Sequence, residues 1–182
     1  MGSVVWRDFF TYKRLLNTAQ TQTLGVPLGK IGLHIRSGTA IVLHQEPGYT
    51  IAATRRSDFS LLVSLSPGTS GVAHGKFYLD DGESFPPPAY REVGILAEGG
   101  RRGGKLRLSG EGTYVSQNKL QKVVVLINDY YGEQEAGSGI TEVRVKGENW
   151  KMWSWDEKLG KLVVEKVEID LNELTLDTIS WR

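Results

Sequence analysis

Residues 30–44 read KIGLHIRSGTAIVLH. Ile31, Leu33 and Ile35 alternate with other residues at the two-residue period of a half-buried strand. The alternation breaks at Ser37-Gly38, and a second β-rich run, residues 40–43, starts at once. A Ser-Gly break between two such runs predicts a tight turn or a bulge. The same texture continues outward. DFSLLVSLS (58–66) is β-rich and ends at Pro67-Gly68, and GVAHGKFYLD (71–80) puts Phe77 and Leu79 on one face and Tyr78 on the other. KLRLSG (105–110), LQKVVVLIND (120–129) and ITEVRVKG (140–147) follow. In WKMWSWDEKLGKLVVEKVEIDL (150–171), residues 156–160 link two alternating stretches as a hairpin loop would. Trp181, with Ile179, ends the chain as a core-facing strand. Short strands spaced about 8–12 residues apart predict an all-β fold, an antiparallel β-sandwich, with a short partial sandwich or hairpin segment at the N-terminus.

Helical signals are thin. TYKRLLNTAQTQT (11–23) is Thr-rich and has a narrow apolar face, which disfavours a stable helix. LNELTLD (171–177) has room for one helical turn. FPPPAY (85–90) predicts a rigid extended link, because three successive prolines cannot pair in a central strand.

The chain has 182 residues, 40% of them apolar, and a net charge of +1. That length suits one domain, or one domain with an attached piece, and can bury a core without staples. The charge balance gives no electrostatic case for nucleic acid or a membrane as partner. No cysteine is present, so disulfides and thiolate metal sites are excluded. No apolar run approaches the ~18–20 residues that span a bilayer. MGSVVWRDFF lacks the charged and apolar regions of a signal peptide.

The acidic stretch Asp80-Asp81-Gly82-Glu83-Ser84 is the first candidate site. A glycosidase needs two carboxylates facing each other across a sugar, and neighbouring residues leaving a strand point to opposite faces. A calcium loop needs alternating acids and a distant glutamate, which this segment lacks. Asp-Gly is instead a strong turn signal, since both residues tolerate positive φ. Gly99 to Lys105 matches the first seven positions of a phosphate-binding loop, but Leu106 replaces the hydroxyl residue that would hold magnesium, and a strand pattern follows where a helix is needed. A hairpin loop is the better expectation there. His34, His44 and His74 show no metal-ligand spacing. No metal, no cofactor and no catalytic group is therefore predicted. Trp153 and Trp155 share one strand face and are the candidate glycan-stacking pair, with core placement as the competing expectation. Trp150 falls on the opposite face if the strand is regular.

Together these strings resemble a known family. WRDFFT (6–11), PLGKIGLHIRSGTAIVL (27–43), SLLVSLS (60–66) and FYLDDGES (77–84) are similar to the C-terminal region of family 31 glycoside hydrolases, most of all to fungal α-glucosidases. In that family a catalytic (α/β)₈ barrel precedes a proximal and a distal β-sandwich. The resemblance implies that residues 1–45 end an incomplete proximal domain and that residues 46–182 form the distal one. It assigns His34, Arg36 and Gly38 to one structural signature, and Asp80, Asp81, Gly82 and Glu83 to another. Phe9-Phe10 replaces the family's usual Trp-Tyr, and Ser37 stands where a second glycine is common. The catalytic aspartates lie in the barrel upstream, and nothing here matches their motifs. The implied partner is that barrel, in cis or as a separate fragment, with α-glucan or oligosaccharide as a second; secretion is implied by the family alone.

Two other functions compete. A stand-alone carbohydrate-binding sandwich would use Trp153, Trp155 and Tyr130-Tyr131. An independent enzyme would need Asp80 or Glu83 paired with Asp129 or Glu133.

Overall fold

The computed structural model describes residues 4–15, 20–128, 139–174 and 178–182. Strands dominate: β1 Trp6–Asp8, β2 His34–Arg36, β3 Thr39–His44, β4 Phe59–Ser64, β5 Gly71–Asp80, β6 Tyr90–Gly100 and β7 Gly103–Gly112 come first. β8 Lys119–Leu126, β9 Val143–Val145, β10 Glu148–Trp150, β11 Trp153–Asp156, β12 Lys161–Asp170 and β13 Ile179–Trp181 complete them, and α1 is Ile51–Thr54.

β1 and β2 form a two-stranded antiparallel sheet. The remaining strands make one sheet in the order β10-β9-β13-β7-β6-β5-β3-β4-β8-β12-β11. Spread flat, that order would separate β13 from β12 by six intervening strands at about 4.8 Å each. Yet Leu162 and Val164 of β12 share one core cluster with Ile179 and Trp181 of β13. The sheet therefore folds over on itself into a sandwich. The fold line is β3–β5, where Thr39 opposite His74 is the single registered parallel pair. Gly75 permits the approach there, since a Cβ at that position would collide with the Ala40 carbonyl.

A second, smaller cluster lies on the outer face of the β4–β8 half. It joins Leu62 of β4 and Val124 and Leu126 of β8 to Ile35 of β2, with Phe9 and Tyr12 packed alongside. β4 and β8 are thus covered on both faces, and they pair in parallel. Strands buried on both sides read as continuous apolar runs, which explains the LLV of residues 61–63 and the VVVLI of residues 123–127.

Most strand expectations hold. Arg101 and Arg102 form a two-residue hairpin loop between the paired Gly100 and Gly103, so the phosphate-loop pattern is a β-turn. The loop after Asp156 joins β11 to β12, with Gly160 at φ +60° and the Asp156 carboxylate accepting from the Leu159 N–H at 3.1 Å. Ser37-Gly38 does more than turn the chain, because it carries it from the small sheet into the large one. Ser37 N–H donates to the Val5 carbonyl at 2.8 Å, while Gly38 N–H donates to that of Ser64 at 2.7 Å.

The segment 150–156 departs from expectation. It is no single strand: β10 and β11 lie at opposite edges of the large sheet, and residues 151–152 cross between them. The crossing is sealed by the Trp150 indole N–H donating to the Glu165 carbonyl at 2.9 Å. Trp150, Trp153 and Trp155 accordingly all pack on the main core. Residues 171–173 form bends where a helical turn has room in the sequence, and 175–177 lie outside the described residues. No helix occurs in 11–15 or 20–23. Among the described residues the one helix is α1, which starts where Thr50 Oγ1 accepts from the Ala53 N–H at 3.1 Å.

Candidate functional site

The acidic stretch sits where β5 ends. Asp81 folds it into a side-chain-capped turn: its Oδ1 accepts from the N–H groups of Glu83 and Ser84, both at 3.1 Å, and its Oδ2 from the Ser84 hydroxyl at 2.5 Å. Gly82 takes φ +64° at the corner. Arg55, just past α1, donates to the Asp81 carbonyl at 2.6 Å and lies 3.9 Å from the Asp80 carboxylate. Its guanidinium occupies the space where a Cβ on residue 82 would stand. Asp81 is thus spent on its own turn and does not face Asp80 as a catalytic partner would. Glu83 is exposed, and Asp129 and Glu133 lie outside the described residues.

These bonds favour the Asp81 carboxylate. The Ser84 hydroxyl contributes most, then the N–H groups of Ser84 and Glu83, and they hold the acid below the usual aspartate range. A carboxylate depressed on folding lends stability above its unfolded pKa and loses it as pH falls through the folded value. We expect Asp81 to titrate below the ordinary aspartate range when its side-chain carbon is followed by NMR. We further expect Ser84→Ala to move that midpoint upward, and a wild-type value at or above the reference would show that the turn bonds do not form.

Between α1, the end of β3, the end of β5 and the loop before β8 runs a cleft of about 660 Å³. Phe59, Phe77 and Leu79 form its apolar part. Asn118 fixes one wall, its amide donating to the carbonyls of Arg55 at 2.7 Å and Ser57 at 2.8 Å. His44, Arg56 and Gln117 also line it.

A second constellation has no counterpart in the sequence expectations. Arg7 of β1 is buried, with 1% of its surface exposed. Its Nε donates to Asn128 Oδ1 at 2.9 Å, Nη1 to the carbonyls of Tyr12 at 2.8 Å and Leu159 at 2.7 Å, and Nη2 to that of Ile127 at 3.0 Å. Asn128 in turn donates to the Leu65 carbonyl at 2.6 Å and to the Ser64 hydroxyl at 3.2 Å. Burial, with repulsion from Arg14 and then Arg101, pushes the guanidinium down to about 9, so it stays charged at neutral pH. One side chain thereby ties the small sheet to the ends of β4 and β8 and to the β11–β12 loop.

The remaining candidates scatter. His34 begins β2, Arg36 ends it exposed, and Gly38 turns the chain at φ +84°. His44 and His74 sit on β3 and β5. Among the described residues no three His, Asp or Glu side chains come together as a metal would need. Trp153 and Trp155 do share β11, but both are half-buried against the core, and the Arg101 guanidinium stands 5.8 Å over the Trp155 ring. Those are contacts of core-edge residues. Tyr130 and Tyr131 lie outside the described residues.

No family model matches the chain. Individual proteins do. Glucoamylase 1 of Candida albicans is 41% identical over 125 residues, which is 68% of this chain and 12% of that protein. The α-glucosidase of Candida tsukubaensis is 31% identical over 168 residues, 92% of this chain and 14% of that protein. The chain belongs to glycoside hydrolase family 31. This family 31 chain corresponds to the C-terminal β region and spans about an eighth of the length of those curated relatives. Solved structures share its fold: a glucosidase II α subunit bound to Glc1Man2 superposes at a TM-score of 0.60, 22% identity, over 99% of this chain and 20% of that one. An α-1,4-glucan lyase from Gracilariopsis lemaneiformis superposes at 0.61 with 12% identity. What these two structures share with the chain is the fold.

Proposed function

We propose that this chain is a non-catalytic C-terminal β-sandwich region of an α-glucosidase-type hydrolase, and that it braces the catalytic barrel of the parent protein, in cis or as an associated fragment. The observation that carries this reading is the N-terminal surface. Phe10, Leu28 and Ile31 expose 64%, 107% and 76% of their surface, and Leu24, Val26 and Leu33 are exposed beside them. Apolar residues clustered in that number call for a protein partner. The two-stranded sheet supports the same reading at β2, whose outer edge pairs with no strand among the described residues, whereas residues 13–15 already cover the outer edge of β1. We place the seam between the two parts at Ser37-Gly38 rather than after residue 45, since β3 pairs along its length with β4. His34 and Arg36 then belong to the bracing part, and Asp80 to Glu83 to the sandwich.

Hydrogen exchange tests it. In the isolated chain, amides of residues 20–33 should exchange far faster than those of β4 and β8. Adding the barrel fragment of a family 31 relative should slow residues 20–33 and leave β4 and β8 unchanged. Equal protection along the isolated chain, or no change on adding the barrel, would sink the reading.

A further inference from the structure

We infer that the cleft beside the Asp81 turn is an ancillary site for a neutral gluco-oligosaccharide, with Tyr78 as its stacking platform. The glucose class rests on the hydrolase reading above; the case for a carbohydrate rests on the cleft. Its volume, about 660 Å³, falls within the usual range for small-ligand sites. Tyr78 lines it with half its surface exposed, and its ring is backed by Tyr90 at 5.4 Å and 12° between planes. A ring held by a parallel neighbour on one face can offer the other with little loss of side-chain freedom, and an aromatic face suits the C–H face of a pyranose. Phe59, Phe77 and Leu79 also line the cleft, but Phe77 and Leu79 lie on the other face of β5 and pack on the main core, so the platform is Tyr78 alone.

The polar lining fits hydroxyls better than charge. Arg55 and Arg56 oppose Asp58, Asp80 and Asp81, so neither sign dominates. Asp58 already accepts from the Lys119 N–H at 2.8 Å and the Gln121 amide at 3.0 Å, and Asp81 is spent in its turn. Among the described residues, the Arg56 guanidinium and the Gln117 amide make no side-chain hydrogen bond, and His44 uses only Nδ1, 3.3 Å from the Ser57 carbonyl. These groups offer both donors and acceptors, as a polyhydroxylated neutral ligand requires. An apolar ligand would strip water from them without return. An anion would meet three carboxylates against two guanidinium groups.

The test is an amide NMR titration of the whole chain with maltotetraose, and separately with inorganic phosphate. Maltotetraose should shift Arg56, Tyr78 and Gln117 with a saturable millimolar Kd. Tyr78→Ala should weaken binding about three- to tenfold while leaving the dispersed spectrum of a folded sandwich. Gln117→Ala, in the loop before β8, should weaken it too. Absence of any shift with maltotetraose overturns the inference, as do shifts centred on Trp153 and Trp155 that survive Tyr78→Ala. Phosphate shifting the same residues more strongly than the sugar also overturns it, in favour of an anion site. The barrel-protection experiment is independent of all of these. A silent cleft with residues 20–33 protected by the barrel would refute the sugar site alone. Failure of that protection with the cleft responding would refute the bracing role.

Discussion

Arg7→Ala is expected to destabilise the chain by about 3–5 kcal/mol, because it removes the buried donor that satisfies four acceptors at once. Those acceptors are Asn128 Oδ1 and the carbonyls of Tyr12, Ile127 and Leu159. For a chain of this size the change lowers Tm by roughly 6–20 °C. Lysine should rescue little, since a single ammonium cannot reproduce the planar fork that reaches three segments together. Methionine is the informative replacement. Buried polar networks sometimes give way to apolar side chains at no cost, so an Arg7→Met chain as stable as wild type would show that the bonds are not what holds β1 in place. Arg14 shares the Ile127 carbonyl at a longer 3.3 Å. Its replacement by alanine should cost less than about 1 kcal/mol. Because Asn128 is the hinge of the network, the Arg7 and Asn128 substitutions should be strongly non-additive in a double-mutant cycle, with a coupling of about 1–3 kcal/mol.

The network is also the clearest case of what the sequence could not disclose. Arg7 is one basic residue in WRDFF, and the partners of its guanidinium lie 5, 120, 121 and 152 residues away. Nothing local marks an arginine for burial when no carboxylate balances it. The strands, by contrast, were legible, because period-two patterning and Gly or Asp turns are local. The Asp81 turn belongs to that class: its Asp-Gly corner and its Ser84 bond span only a few residues. Ser37-Gly38 is intermediate. Its break in patterning announced a turn, but which sheet each flanking strand joins depends on Val5 and Ser64, whose carbonyls are found only once the chain has folded.

The tryptophans show the same limit. Parity placed Trp153 and Trp155 on one face, as found on β11. Whether that face meets solvent or core was set by the overlying half of the sandwich. Trp150 was read on a regular strand with them, but the chain crosses from one sheet edge to the other at residues 151–152, and the crossing is stabilised by a bond to Glu165. The cleft was illegible for a related reason. His44, Arg56, Tyr78 and Gln117 share no spacing; α1 and the ends of β3 and β5 bring them together. α1 itself has four residues, too few for a helical period to show.

Trp181→Ala is expected to cost about 3–5 kcal/mol, the loss of a large buried ring plus the cavity it leaves. Trp181, 3% exposed, sits on the last strand, which pairs with β7 on one side and β9 on the other. Its ring covers Gly104, where a Cβ would strike the indole, and its Nε1 donates to the Gly100 carbonyl at 2.9 Å. Trp181→Phe keeps most of the apolar area and forfeits that bond, so it should cost only about 1–2 kcal/mol. If phenylalanine and alanine proved equally damaging in chemical denaturation, the bond rather than the ring would be closing this half. The two variants should also fail in different places. Arg7→Ala releases the small sheet while β6, β7 and β13 stay protected from exchange. Trp181→Ala opens β7, β9 and β13 while β1 remains tied to Asn128. Identical exchange patterns in the two would mean that the brace and the sandwich unfold as one unit, and that the seam at Ser37-Gly38 has no energetic reality.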